Sequence, residues 1–257
     1  MTNIWKSDLY RLGKSKLLYG IVAVTSIIAL SLMLMIRQDI RLGISIFGDL
    51  TAFKSVDDII RLGVQYHKGL GIFAAILITV FIGQEYSWKT WQNKWITNKS
   101  RSGIYLSKAA LSAAASVVIF LLFQTVAVLC SGNIQGMFTG GYALMILCGS
   151  FIYAALGTVL CMLSMLIRSN IASVIVCIGY VMLGETLASV IRNIGNLSDS
   201  TAKISEWVVG HTIYGMSSAL LATSFSTVSI LSILINSAAI AFLSTEIGMF
   251  LFRKYEL

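Results

Sequence analysis

The chain has 257 residues, of which 57% are hydrophobic and only 12% charged, with a formal net charge of +8. A soluble domain usually carries about twice that share of charge, so the composition excludes an ordinary soluble enzyme and points to a membrane. The segments between apolar runs are too short to bury cores of their own, so residues 1–257 read as a single transmembrane domain.

Residues 3–16, NIWKSDLYRLGKSK, form a short amphipathic stretch. Ile4, Trp5, Leu9 and Leu12 share one helical face, with Lys6 and Lys14 off it. Tryptophan at headgroup level and lysines toward phosphate predict a helix lying in the inner membrane interface. Apolar runs of about 18 or more residues read as spans, and six are expected: about 17–36, 68–83, 106–130, 142–167, 171–191 and 226–252. The first is longer than a signal-peptide core and ends at Met35-Ile36-Arg37 rather than at a small-residue cleavage site, so it is expected to be retained.

Residues 37–67 form a long outer connection. Phe53, Val56, Ile60 and Val64 fall on one helical stripe, opposite Lys54, Asp57, Asp58 and Arg61. That spacing predicts an amphipathic helix lying on the bundle. The third span opens with Ala109, Ala110, Ser112, Ala113, Ala114, Ala115 and Ser116, small residues that let backbones approach closely in lipid. Arg168-Ser169-Asn170 makes a tight turn between the fourth and fifth spans. Residues 192–225 start polar and become semi-apolar, too polar to span and too apolar for a free loop. A re-entrant or interfacial helical hairpin is expected there, with Ile204, Trp207, Val208 and His211 on one face.

With no proline in the chain, helix kinks must come from glycine or from broken helices. Cys130, Cys148, Cys161 and Cys177 show no CxxC spacing and read as buried thiols, without a disulfide or a metal site. Placing the N-terminus inside puts 12 of the 19 basic residues on inner segments. Those are Lys6, Arg11, Lys14, Lys16, Lys89, Lys94, Lys99, Arg101, Lys108, Arg168, Arg253 and Lys254. Basic residues near span ends favour the cytosol, so both termini are expected there. The positive charge is then a topology signal, with attraction to anionic lipid as a by-product. No organised surface for nucleic acid is apparent.

No catalytic constellation is visible. His67 and His211 lack carboxylate or cysteine neighbours at metal-ligand spacing and read as interfacial or packing residues. There is no GxxxxGK[ST] phosphate loop, so ATP-driven work by that route would need a partner. Glu185 and Glu246 sit within apolar runs, where acids are costly. Together with Thr186 they are candidates for a substrate pathway; a buried bridge between spans is the alternative, favoured for Glu246.

Residues 83–108, GQEYSWKTWQNKWITNKSRSGIYLSK, carry most of the information. Glu85-Tyr86 closes the second span, and Ser87 is placed to cap a following helix whose N-terminus would welcome the Glu85 charge. Trp88, Trp91 and Trp95 recur at i, i+3 and i+7, with Lys89 and Lys94 to the sides. Such a ridge suits either a protein groove with acidic walls or an interfacial aromatic belt.

Glu85-Tyr86-x-x-Lys89-Thr90-Trp91, followed by Arg101, Tyr105 and Lys108, resembles the Glu-(Tyr/Phe)-x-x-Gly-Thr…Arg…Lys signature of permease subunits of type-2 ATP-binding-cassette (ABC) exporters. Lys89 stands where that family often has glycine. The letter match spans about 25 residues, whereas the likeness in layout spans nearly the whole chain. The resemblance implies an all-α integral membrane fold: six transmembrane helices, an interfacial N-terminal helix, an inner coupling helix and outer amphipathic or re-entrant helices. It implies that Glu85, Tyr86, Trp88, Lys89, Thr90, Trp91, Lys94, Trp95, Arg101 and Lys108 serve coupling to an ATPase.

The same resemblance implies a permease in a bacterial plasma membrane that is not itself an enzyme. ATP and Mg belong to a cytosolic ATPase dimer, and a second copy or a homologous permease completes the complex. The cargo would be an amphipathic peptide or lipid-like molecule. Size and short outer loops look like the permeases of lantibiotic or bacteriocin immunity exporters. A stand-alone immunity protein that binds a toxic peptide, or an ion-coupled carrier, are the other readings; a carrier would be expected to show paired internal repeats, and none is visible.

Overall fold

A computed structural model describes residues 2–38, 43–46, 49–52, 55–88, 100–132, 140–167, 169–195, 199–221 and 227–254. The order is α1 (Thr2–Gly13), α2 (Lys16–Arg37), β1 (Gly43–Ile46), β2 (Asp49–Ala52), α3 (Val56–Val64), a 3₁₀ turn (Tyr66–Lys68), α4 (Leu70–Ser87) and α5 (Arg101–Cys130). It continues with α6 (Gly140–Ile167), α7 (Asn170–Gly195), α8 (Asp199–Gly210), α9 (Ile213–Leu221) and α10 (Thr227–Lys254). Six of these helices, α2, α4, α5, α6, α7 and α10, are long and apolar enough to cross a membrane.

The expected spans are therefore present, each with somewhat different ends. The largest shift of an end is in α5, which starts five residues earlier, at Arg101, while α4 runs on through Glu85 to Ser87. Among the described residues the fold also includes one pair of strands. Gly43–Ile46 and Asp49–Ala52 pair antiparallel, Gly43 opposite Ala52 and Ile46 opposite Asp49. Four-residue strands of this kind leave little helical periodicity to read.

α6 is the hub, packing against α5, α10, α4, α7 and α9. It is also the most buried of the six long helices. Its seam with α5 explains the run of small residues at the start of the third span. A Cβ at Gly157 would strike the Ser112 carbonyl and Ala113, so glycine permits this close approach. Ordinary bundle packing thus accounts for Ala109, Ser112, Ala115 and Ser116, all buried.

The bundle has two distinguishable ends. The basal end carries α1, the close of α4, the start of α5 and the last turn of α10, where Arg253 donates to Ser102 Oγ at 2.6 and 2.8 Å. The distal end carries α3, the 3₁₀ turn and the α8–α9 hairpin. α3 forms where the stripe predicted it, opened by a capping box: Ser55 Oγ accepts from the Asp58 N–H and Asp58 Oδ2 from the Ser55 N–H. Phe53 and Lys54 lie outside the described residues.

α3 docks with Ile59, Ile60, Gly63 and Val64 buried. Three side chains from other elements donate to its carbonyls: Gln124 to Ile60 at 2.9 Å, Tyr153 to Gly63 at 2.8 Å and Ser217 to Val64 at 2.9 Å. The semi-apolar segment after the fifth span forms the hairpin α8–α9, turning at His211-Thr212. Its exposed side carries Ile204, Trp207 and Val208. His211 stacks obliquely on Trp207, ring centroids 4.3 Å apart.

Candidate functional site

The basal end holds a compact group of buried charges. Glu85, in the last turn of α4, and Lys108, in the second turn of α5, are both fully buried. Lys108 Nζ lies 2.7 Å from Glu85 Oε1 and 3.0 Å from Asp8 Oδ1 of α1. Ser107 Oγ donates to the other Asp8 oxygen at 3.1 Å. Arg11 reaches Glu85 Oε1 from α1 at 2.5 Å, and its second terminal nitrogen donates to the Phe81 carbonyl at 2.9 Å. The Phe81 ring takes both cations on its face, each 4.3 Å from the centroid.

Two acids and two bases make the group neutral as a whole. That balance is what permits burial, since an ion removed from water is costly unless paired and hydrogen-bonded. Phe81 adds cation–π attraction in a place where water is excluded. The outcome is mechanical. α1 is fastened to α4 and α5 at the two points where the chain leaves the bundle and returns to it.

Glu85 faces inward within α4, its charge taken up by Lys108 and Arg11. Ser87 ends α4, its hydroxyl donating back to the Gly83 carbonyl at 3.1 Å; the backbone that it was expected to cap lies outside the described residues. α1 docks through Asp8, Arg11 and Leu12, while Trp5 and Leu9 remain exposed. Asp8, Arg11 and Phe81 were not singled out by periodicity. The i, i+3 spacing of Asp8 and Arg11 was the available signal, but their partners lie far along the chain.

The other predicted coupling residues fall around the same end. Tyr86 donates to the Met165 carbonyl of α6 at 2.9 Å. Arg101 donates to the Arg253 carbonyl at 2.8 Å, capping the end of α10. Tyr105 donates to the Ser244 carbonyl at 3.4 Å and packs near Phe252. Trp88 is exposed just past α4. Lys89, Thr90, Trp91, Lys94 and Trp95 lie outside the described residues, so the aromatic stripe is not on view.

At the distal end, Glu185 Oε2 lies 3.5 Å from Nε2 of His67, which is buried against the rings of Tyr66 and Tyr214. The view of His67 as lacking a carboxylate neighbour is thus corrected: spacing along the chain concealed a contact across the bundle. Thr186 is exposed beside Glu185. Glu246 is exposed on α10, with no ion pair or hydrogen bond from its side chain among the described residues, so the buried bridge expected for it is absent. No group of three metal-ligating side chains occurs among the described residues.

Tyr66 sits in the 3₁₀ turn, outside the long helices. Burial, with smaller contributions from Tyr180 and Tyr214, pushes its phenol well above the usual 10.0. The hydroxyl therefore stays neutral and protonated under ordinary conditions.

Fold and composition make the chain a multi-pass, helical membrane protein. No protein-family model matches the chain, and no curated protein matches it significantly.

Proposed function

We infer that this chain is the transmembrane permease subunit of an ATP-driven ABC exporter. The observation that carries the reading is the neutral cluster of Asp8, Arg11, Glu85 and Lys108 at the base of the tryptophan- and lysine-rich loop. A push on that loop needs rigid points of entry into the bundle. Glu85 and Lys108 occupy the helix ends that flank the loop, and both are letters of the signature that the segment resembles.

In this reading the basal end faces the cytosol of a bacterial cell. A separate ATPase dimer binds ATP and Mg and docks on the loop through Trp88, Lys89, Thr90, Trp91, Lys94 and Trp95. Closure of that dimer moves α4 and α5 through the cluster, while Tyr86 and Arg101 carry the motion to α6 and α10. Only contacts that differ between two states can drive such a change. A second copy or a homologous permease completes the pathway, and an amphipathic peptide or lipid-like molecule leaves outward past Glu185 and Thr186. Immunity to a peptide antibiotic is the physiological role that fits best.

Purification from the native membrane in mild detergent should bring down a soluble ATPase in fixed ratio. Replacing Trp91 and Trp95 together with Ala should release it, or uncouple its ATP hydrolysis from transport, while the chain stays membrane-inserted. A pure chain with no ATPase, under conditions that hold known transporter complexes together, would sink the reading.

The His67–Glu185 contact favours one alternative, a proton-coupled carrier. Transport that survives ATP depletion but stops with a protonophore would select it.

A further inference from the structure

A pocket of about 150 Å³ lies toward the distal end of the bundle, between α7, the 3₁₀ turn and the start of α9. Tyr66, Tyr180, Gly184, Leu187, Thr212 and Tyr214 are among its walls. It is smaller than sites that enclose a whole drug-sized molecule, so it suits one functional group of a larger ligand. Leu183, Leu187, Val190 and Ile194 make an exposed apolar stripe along α7, a helix long and apolar enough to span a membrane. Leu187 belongs to both stripe and pocket, so the mouth opens on the lipid-facing side of α7.

The polar side chains at this pocket have protons to give. Tyr66 is 2% exposed, and its hydroxyl lies against Gly184, where a Cβ would come within 2.8 Å of it, so glycine leaves it room. Among the described residues, neither the Tyr66 nor the Tyr180 hydroxyl has a hydrogen-bond partner, and neither oxygen is sealed from the outside. Burial, with smaller contributions from Tyr180 and Tyr214, keeps the Tyr66 phenol protonated. α9 adds the positive end of its dipole, because Thr212, Ile213 and Tyr214 at its start line the same pocket. The Thr212 hydroxyl is already engaged: it donates to the Val209 carbonyl at 2.7 Å and accepts from the Gly215 N–H at 3.0 Å.

We propose that this pocket receives the carbonyl oxygen of an uncharged acyl ester, which accepts from the Tyr66 and Tyr180 hydroxyls while its hydrocarbon lies along the α7 stripe. Two unengaged phenols beside the start of a helix call for an acceptor. Among the described residues no charged side chain lines the pocket, so a buried anion would lack a balancing cation. Glu185 follows Gly184 on α7 and turns its carboxylate to His67 at 3.5 Å, which disfavours an anion further. The site does not depend on the chain being a permease. Two sources share this chemistry, a bilayer lipid and an acylated passenger.

The test uses the full chain in nanodiscs of dialkyl-ether phosphatidylcholine, which brings no ester of its own, and a diazirine-bearing fatty acid methyl ester as photoprobe. Labelling should map to residues 180–191 and 212–214. Methyl oleate should compete about twentyfold better than oleyl methyl ether, which keeps the length and lacks the carbonyl. Tyr66→Phe and Tyr180→Phe each keep the ring and remove one donor. Each should weaken methyl oleate about fivefold and leave the ether unchanged. Leu187→Trp should block the mouth and abolish the site-specific labelling while thermal unfolding stays unchanged. Equal competition by ester and ether overturns the proposal, as does an ester advantage that survives both Phe substitutions together. Oleate competing better than methyl oleate overturns the uncharged class. Labelling spread evenly over the lipid-facing helices, or indifferent to Leu187→Trp, overturns the site. Mass spectrometry of lipid carried through purification separates the sources. An ester lipid held in fixed ratio, and lost in Leu187→Trp, identifies a bilayer lipid; its absence alongside the ester advantage identifies a passenger.

Discussion

Lys108 shows how much a single buried charge depends on its neighbours. It touches Glu85, Asp8 and the face of Phe81 with no access to solvent. Removing one member leaves the four-charge group out of balance by one buried charge, which costs up to about 3–5 kcal/mol. Glu85→Gln should therefore lower the thermal unfolding temperature of the detergent-solubilised protein sharply, and Lys108→Met should do the same. The double variant should recover most of the loss; strictly additive effects would mean that the two groups do not act as a pair. The Glu and Lys were legible as letters of a signature, but their mutual burial was not. Ser107 and Asp8 meet across 99 positions of sequence, and no local periodicity encodes a contact of that range.

Tyr66 yields a pH dependence with a definite sign. The unfolded chain loses this phenolic proton near 10.0, whereas the folded chain holds it to higher pH. The folded state binds more protons in that window, so the contribution is fully present below pH 10.0 and declines as pH rises above it. Alkaline melts should be flatter for Tyr66→Phe than for the wild type above that point. Identical slopes would show that the raised value does not bear on stability.

At the scale of elements, the long apolar helices were readable because a bilayer span needs only length and apolarity, and both are written continuously along the chain. The short β1–β2 hairpin was not readable, since four residues per strand give no usable alternation. α3 lies between these cases: Val56, Ile60 and Val64 announced its stripe, and Ser55 with Asp58 supplied its start signal. Ser55→Ala should cost about 1 kcal/mol. It should show as faster hydrogen exchange in Val56–Val64, with α5 and α6 unaffected; unchanged exchange would mean that docking alone holds the helix. α1 was readable as amphipathic, but the pairing of its other side, through Asp8 and Arg11, with α4 and α5 was not, because those partners lie far along the chain.

For the whole molecule, the bundle assigns its two ends to opposite faces of a membrane, and the thiols offer a way to see this. Cys148, Cys161 and Cys177 are buried, while Cys130 is partly accessible at the distal end of α5. A membrane-impermeant maleimide added to intact cells should label Cys130 if the distal end lies outside. The other three should react only after denaturation. Labelling of Cys130 solely in inverted vesicles would reverse the assigned orientation and remove the basal end from the cytosol.

The docking of α3 has a consequence for how this protein can vary. Gln124, Tyr153 and Ser217 grip the helix by the carbonyls of Ile60, Gly63 and Val64, and every amino acid carries a carbonyl. The letters on the exposed side of α3 are thus free to drift, while its register is not. A lineage could rewrite the surface of this plug repeatedly, but a one-residue insertion before Ile60 would displace all three grips at once.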